Sequence, residues 1–158
     1  MDAGRRERRR ALDLATGRGR HLIPIGLAGF QPFGVDIRID ALEDARAAAA
    51  AGGVVAWLWC ADVTMHPLPT RYFDAIVVSR YLQRDLFASI RDALAPGGFV
   101  LYETFTTAQR ALGTGPRSPE HLLEPNELRR AFDDFEVLFY DEVSEPEALA
   151  RLVARKPR

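Results

Sequence analysis

The sequence predicts an α/β domain built as a three-layer α/β/α sandwich, with helices on both faces of a mostly parallel, seven-stranded sheet. Three observations predict it. Short apolar runs rich in β-forming residues alternate with segments of helical spacing along most of the chain. Several of these runs stop at a glycine or an aspartate, as strands do where they turn into helices. The last two runs follow one another with no helix between them, which ends the sheet in a hairpin and makes its last strand antiparallel.

Taken in order, residues 11–14 form a short apolar run that stops at a glycine-rich turn, and residues 21–28 have helical spacing. Residues 34–37 read as the second strand, after the breakers Gly29 and Pro32. Residues 40–51 are alanine-rich, charged on one face, and close at Gly52-Gly53, where a helix ends. The apolar run 54–61 reads as a third, buried strand. Pro67 and Pro69 make 62–72 a loop. Residues 73–79 are the fourth strand, and 82–94 a helix whose apolar face carries Leu82, Leu86, Phe87, Ile90 and Leu94. Pro96-Gly97-Gly98 then turns the chain into the fifth strand, 99–104. The stretch 106–125 is polar and broken by glycine and proline, 126–132 is a short helix, and 136–141 pairs with 149–155.

A chain of 158 residues with 47% hydrophobic and 27% charged residues supports one domain with a packed core. It divides into a basic segment, 1–10, and a domain, 11–158. The basic segment sets five arginines against Asp2 and Glu7. A solvated terminus accounts for that run better than nucleic-acid contact, because the rest of the chain is acidic and offers no broad phosphate-binding face. No apolar run is long enough to span a bilayer, and none follows the basic terminus as in a secretory signal. Cys60 has no partner for an internal disulfide and sits among apolar neighbours, so it reads as a core thiol in a reducing, cytoplasmic compartment. The spacing of His21, His66 and His121 matches no metal site.

Ligands of open α/β sheets bind beyond the carboxyl ends of the strands. Gly17 and Gly19 follow the first strand, where glycine lets the backbone turn and approach a ligand. Asp36 ends the second strand, where a carboxylate can accept from both ribose hydroxyls of an adenosine. Asp62 follows the third strand, where it could receive an adenine amino group. Asp13 lies inside an apolar strand and needs partners there; a hydrogen bond that holds the turn together is the plain alternative to a ligand contact.

This constellation resembles the class I S-adenosylmethionine (SAM)-dependent methyltransferase superfamily. The resemblance is carried by Asp13-x-Ala15-x-Gly17-x-Gly19, Gly34-Val35-Asp36, Ala61-Asp62, Phe73-Asp74-Ala75-Ile76-Val77-Val78 and Leu94-Ala95-Pro96-Gly97-Gly98. A narrower likeness, to small bacterial methyltransferases of the tellurite-resistance and thiopurine type, rests on Gly17-Arg18-Gly19-Arg20-His21, Tyr102-Glu103-Thr104-Phe105 and His121-Leu122-Leu123-x-Pro125-x-Glu127-Leu128. The resemblance implies a Rossmann-like sheet of order 3-2-1-4-5-7-6, SAM as cofactor and S-adenosylhomocysteine as product. It implies that Ala15, Gly17 and Gly19 pass under the methionine part and that Asp13 faces its amino group. Asp36, with Ile37 beside it, would meet the ribose, Asp62 and Val63 the adenine, and the Ser79 backbone the methionyl moiety.

Methyl transfer from a sulfonium needs the acceptor aligned more than activated. Candidates to line the acceptor site are Arg80 and Tyr81 after the fourth strand, and Glu103 and Phe105 at the end of the fifth. Arg117 and His121 could close over it. Glu103 is the first choice for orienting or deprotonating an acceptor; Arg80 has Asp85 as an alternative partner, and capping the core is the alternative role for Tyr81. The acceptor is expected to be a small molecule. Ser79-Arg80-Tyr81-Leu82 lacks the Asn-Pro-Pro-aromatic signature of base methylation. A nicotinamide enzyme is the weaker reading, since Leu22 stands where a third glycine belongs and no lysine precedes Lys156. Relatives of this kind usually carry one or two helices before the first strand, against about ten residues here. The expectations are an open acceptor site, an upstream start or a second subunit covering the open side, with a SAM-binding protein of weak or no catalysis as the rival.

Overall fold

The computed structural model describes residues 8–158. Its elements are β1 (Arg10–Leu14), α1 (Leu22–Leu27), β2 (Gln31–Asp36), α2 (Ile39–Ala51), β3 (Trp57–Cys60), β4 (Phe73–Ser79), α3 (Leu86–Ala93) and β5 (Leu94–Phe105). Then come two 3₁₀ turns, α4 (Glu127–Ala131) and the hairpin β6 (Glu136–Val143) and β7 (Leu149–Arg155). The sheet order is β3-β2-β1-β4-β5-β7-β6, parallel from β3 to β5 and antiparallel at β7. β1 pairs with both β2 and β4, so the order reverses there and opens a crevice at the carboxyl ends.

Side-chain alternation explains the layers. Leu12 and Leu14 of β1 point into the main core, which α3 closes with Leu86 and Ile90 and α4 with Leu128. Ala11, on the other face, meets Ala75 and Ile25 of α1, while Ala45 and Ala49 of α2 pack on Leu22. That second face is covered only in part: Leu101 and Phe139, both in register with Val153, stay exposed.

Several expectations are corrected. The third strand is four residues long and half-exposed rather than buried over 54–61, and Cys60 is exposed rather than core. It is the edge of the sheet, and no helix joins it to β4, so apolar content there does not bring burial. The helix expected over 82–94 forms only from Leu86 to Ala93. The fifth strand begins earlier, because Leu94 already pairs with Phe73. Residues 1–7, with Arg5 and Arg6 of the arginine run, lie outside the described residues. Arg9 and Arg10 belong to the domain: their guanidinium groups lie 4.7 Å over Phe30 and 4.2 Å over Tyr72. Among the described residues no helix is long and apolar enough to cross a membrane.

Candidate functional site

After β1 the chain takes left-handed conformations at Ala15 (φ 55°), Gly17 (φ 54°) and Gly19 (φ 77°). The two glycines serve different ends. A Cβ on Gly19 would lie 2.7 Å from Leu22 Cδ1 and 2.8 Å from the Ala45 methyl, so Gly19 lets α1 and α2 approach. A Cβ on Gly17 would meet nothing within 4 Å; it would project into open space above the turn.

Backbone donors set the carboxylate at the end of β2. Gly17 N–H donates to Asp36 Oδ2 at 2.8 Å and Arg38 N–H to Oδ1 at 3.0 Å. Each oxygen keeps acceptor capacity for a further donor. Asp36 lines a cavity of about 210 Å³ with Ala15, Val35, Ile37, Ala61, Asp62, Val63 and Tyr81. This is below the ~300 Å³ at which sites for whole drug-sized ligands begin, and it suits a nucleoside portion. Across the cavity, Asp62 Oδ1 accepts from Thr64 N–H (2.9 Å) and Thr64 Oγ (2.6 Å), which hold its carboxyl below the usual carboxylate range. Its Oδ2 takes no hydrogen bond among the described residues. Burial, then the charges of Asp62 and Asp36, pushes the Tyr81 phenol up, so its hydroxyl stays protonated near neutral pH.

Asp13 does not line this cavity. It is 2% exposed; its Oδ2 accepts from Thr16 Oγ at 2.6 Å, and His21 Nδ1 lies 3.4 Å from Oδ1. It braces the turn from beneath. Ser79, at the end of β4, is not among the lining residues either; its Oγ accepts from Arg20 Nη2 at 2.6 Å, which ties the first loop to β4.

Beyond Tyr81 lies a second cleft of about 360 Å³, lined by Arg80, Tyr81, Leu82, Gln83, Thr104, Phe105, Pro116 and His121. Arg80 has φ 55°, and its N–H donates to the Glu103 carbonyl at 2.8 Å. Its guanidinium lies 5.2 Å over Phe105 and forks onto Glu147, not onto Asp85 as expected. That pairing raises the Arg80 pKa and lowers that of Glu147. The loop over the cleft is pinned twice. Arg84 pairs with Glu127 and donates to the Leu122 carbonyl at 2.8 Å. Buried Gln109 bridges Thr114 and the Ala148 N–H.

Glu103 lines neither cavity, and its expected place in the cleft is corrected. Alternation along β5 turns Tyr102 to the main core and puts Glu103 on the face of Phe105, but two residues further from the strand end, between the charges of Arg80 and Arg151. Of the two loop residues, His121 lines the cleft, while Arg117 is exposed and bonded to the Gly113 carbonyl. His66 lines a separate groove. Sequence reasoning passed over Arg20, Gln109 and Glu147. Only Arg20 carried a signal, as part of the turn motif; Glu147 meets Arg80 and Gln109 meets Ala148 from far along the chain. Among the described residues no cluster of His, Cys, Asp or Glu is arranged to hold a metal ion.

Residues 11–98 match a family model described as "Methyltransferase domain". No curated protein sequence matches the chain. Solved structures are similar in fold. An S-adenosylmethionine-dependent methyltransferase from Mesorhizobium loti is 20% identical, with a TM-score of 0.75 over 93% of this chain and 90% of that one. A SAM-dependent methyltransferase from Methanosarcina mazei is 18% identical, with a TM-score of 0.74 over 96% and 93%. TehB from Haemophilus influenzae is 18% identical, with a TM-score of 0.77 over 95% of this chain; the chain spans 58% of that protein.

Proposed function

The chain belongs to the methyltransferase-domain family, and from that membership we propose that it binds SAM between Asp36 and Tyr81 and methylates a small molecule held in the neighbouring cleft. The observation that carries the reading is the pair of carboxylates facing one nucleoside-sized cavity, Asp36 clamped by two backbone N–H groups and Asp62 with Oδ2 free of bonds. Asp36 would accept from the ribose hydroxyls and Asp62 Oδ2 from the adenine amino group, with Ile37 and Val63 against the ring. Gly17 leaves the space above the turn clear for the methionine part. Asp13 acts at one remove, by holding Thr16 and the turn.

Bound there, the cofactor supplies an electrophilic methyl group, and S-adenosylhomocysteine is the product. The protein's part is alignment and exclusion of water. Tyr81 separates the two cavities and keeps its proton. Phe105 and Leu82 give the cleft apolar walls, and the charge of Arg80 is spent on Glu147. His121 is the one imidazole in the lining, so an acceptor that must lose a proton would give it there, and a soft or anionic nucleophile needs no base.

The test is calorimetry with SAM, S-adenosylhomocysteine and NAD, followed by a labelled-methyl screen over thiols, tellurite, selenite, phenols and amines. SAM should bind and NAD should not. Asp36→Ala should weaken SAM binding by about 1–3 kcal/mol, because ribose hydroxyls lose their acceptor. No binding of SAM or its product at sub-millimolar concentration overturns the reading. Binding without transfer to any acceptor overturns its catalytic half and leaves a SAM-binding module.

A further inference from the structure

The two edges of the sheet are built differently. The β6 edge carries Glu136, Asp141 and Glu142, is shifted in register between Val137 and Phe139, and has Asp141 bonded to Arg151. Charge and irregularity of this kind keep an edge from pairing with another chain. The β3 edge reads Trp57-Leu58-Trp59-Cys60, with no charge, no proline and no shift in register against β2. Its backbone has unpaired groups to offer. Ala61 N–H donates to the Asp36 carbonyl, so by strand alternation Trp57 and Trp59 also turn to β2, and Leu58 and Cys60 turn their N–H and C=O outward.

Exposed apolar side chains flank this edge: Ile39 (61%), Val55 (77%) and Trp57 (62%). Together they present roughly 400 Å² of surface, about half of the ~800 Å² per partner in a standard interface. Grooves flank the strand on both sides. One of about 520 Å³ runs between Phe33, Trp57, Trp59, Tyr72 and the loop prolines Pro67 and Pro69. Another of about 380 Å³ runs between Ile39 and Leu42 of α2 and Val55 and Leu58.

We propose that this edge is a homodimer interface, in which two copies pair β3 antiparallel across a twofold axis into one continuous sheet. A second copy is the occupant the observations favour. It brings an equally uncharged strand with its own outward N–H and C=O groups, and the flanking apolar side chains supply about half the area that a standard interface buries per partner, the paired backbone and grooves the rest. One register uses every outward group: Leu58 opposite Cys60 of the other copy, and Trp59 opposite Trp59 on the axis. It sets Trp57 of one copy opposite Ala61 of the other, in the wall shared by the aromatic groove and the Asp36 cavity. The two Cys60 residues are not directly opposed, so the dimer needs no disulfide.

Sedimentation velocity on the full chain at micromolar concentrations tests this without cofactor, so its outcome is independent of the proposed activity. The wild type should sediment as a dimer. Trp57→Lys, at a side chain exposed enough to be replaced without unfolding, should give a folded monomer. Leu138→Lys on the β6 edge, 46% exposed, should leave the dimer intact. A monomeric wild type overturns the proposal and hands the edge to a different partner. A dimer that survives Trp57→Lys, or is lost in Leu138→Lys alone, overturns it too. For the register, Trp59→Cys with Cys60→Ser should cross-link on oxidation, since residues opposed in a non-hydrogen-bonded pair lie ~4.5 Å apart at Cα. A dimer that does not cross-link overturns that register.

Discussion

Gly17 and Gly19 stand two residues apart in one turn, and the structure gives them different work. Alanine at either must adopt a left-handed conformation, which costs about 1–2 kcal/mol for a residue with a Cβ. A stiffer unfolded chain returns about 0.4–1 kcal/mol. Gly17→Ala meets no protein atom, so its net loss should be about 1 kcal/mol, or ~2–4 °C in Tm for a chain of this size. Gly19→Ala adds contacts at 2.7 and 2.8 Å, and overpacking of that kind costs a further ~1–3 kcal/mol. Gly19→Ala is therefore the less stable variant, by urea unfolding with both proteins in one buffer. Calorimetry with SAM should rank them the other way. The new methyl of Gly17→Ala stands in the space proposed for the methionine part, so Kd should rise at least tenfold, about 1.4 kcal/mol. Gly19→Ala, whose methyl faces α1 and α2, should bind within a few-fold of wild type. If Gly17→Ala binds SAM with wild-type affinity, nothing passes over this turn, and the cavity is not filled in the way proposed.

Two further outcomes follow from charges around the acceptor cleft. Arg84→Met should lower stability by on the order of 1 kcal/mol, since the pair it breaks is partly exposed, and should loosen the loop that carries His121. Arg84 holds the Glu127 carboxyl below its ordinary range, so this stabilisation is present above the unfolded pKa of about 4.3 and is lost as pH falls through the lower folded value. The wild-type urea midpoint should thus fall more steeply on acidification than that of Arg84→Met; parallel curves would show that the pair contributes nothing. Tyr81→Phe should leave the pH–rate profile unchanged in shape below pH 10, because burial keeps the phenol protonated there. An alkaline limb that disappears in the phenylalanine variant would make Tyr81 a base after all.

The strand order followed from the resemblance, and the gathering of Ala15, Asp36, Ile37, Asp62 and Val63 around one cavity was legible because it is written locally. Each strand ends within a residue or two of its informative side chain, and the clamp on Asp36 comes from Gly17 and Arg38, neighbours in the turn motif and in sequence. The acceptor half was not legible, for two reasons. Glu103 shares the parity of Phe105, which lines the cleft, but β5 runs on to Phe105, so Glu103 is held two residues short of the strand end, between the charges of Arg80 and Arg151. Arg80 was read against Asp85, close in sequence, while its partner Glu147 arrives from the turn before β7, 67 residues away. The third strand misled for a related reason. A run of apolar residues states what can be buried, and only the sheet order shows that no strand of the described chain pairs with its outer edge.

Ala15 and Arg80 are the two non-glycine residues with left-handed φ at the carboxyl ends of the central strands β1 and β4, and each lines one of the two cavities. Each costs about 1–2 kcal/mol and persists because its surroundings over-determine it. For Ala15 the restraint is the turn: Thr16 N–H on the Val35 carbonyl, Thr16 Oγ on Asp13 and Gly17 N–H on Asp36. Ala15→Gly removes the strain but gives the unfolded chain more freedom, worth about 0.4–1 kcal/mol, so it should stabilise by at most ~1.5 kcal/mol. Affinity for SAM should stay the same or fall, because a more mobile turn positions Asp36 and Gly17 less well. A variant destabilised by more than that would mean that the Ala15 methyl packs usefully and the turn holds no strain. A variant both more stable and tighter in binding would separate the strain from the site, and the left-handed residue would then be a consequence of how β1 meets α1 rather than of what the cavity holds.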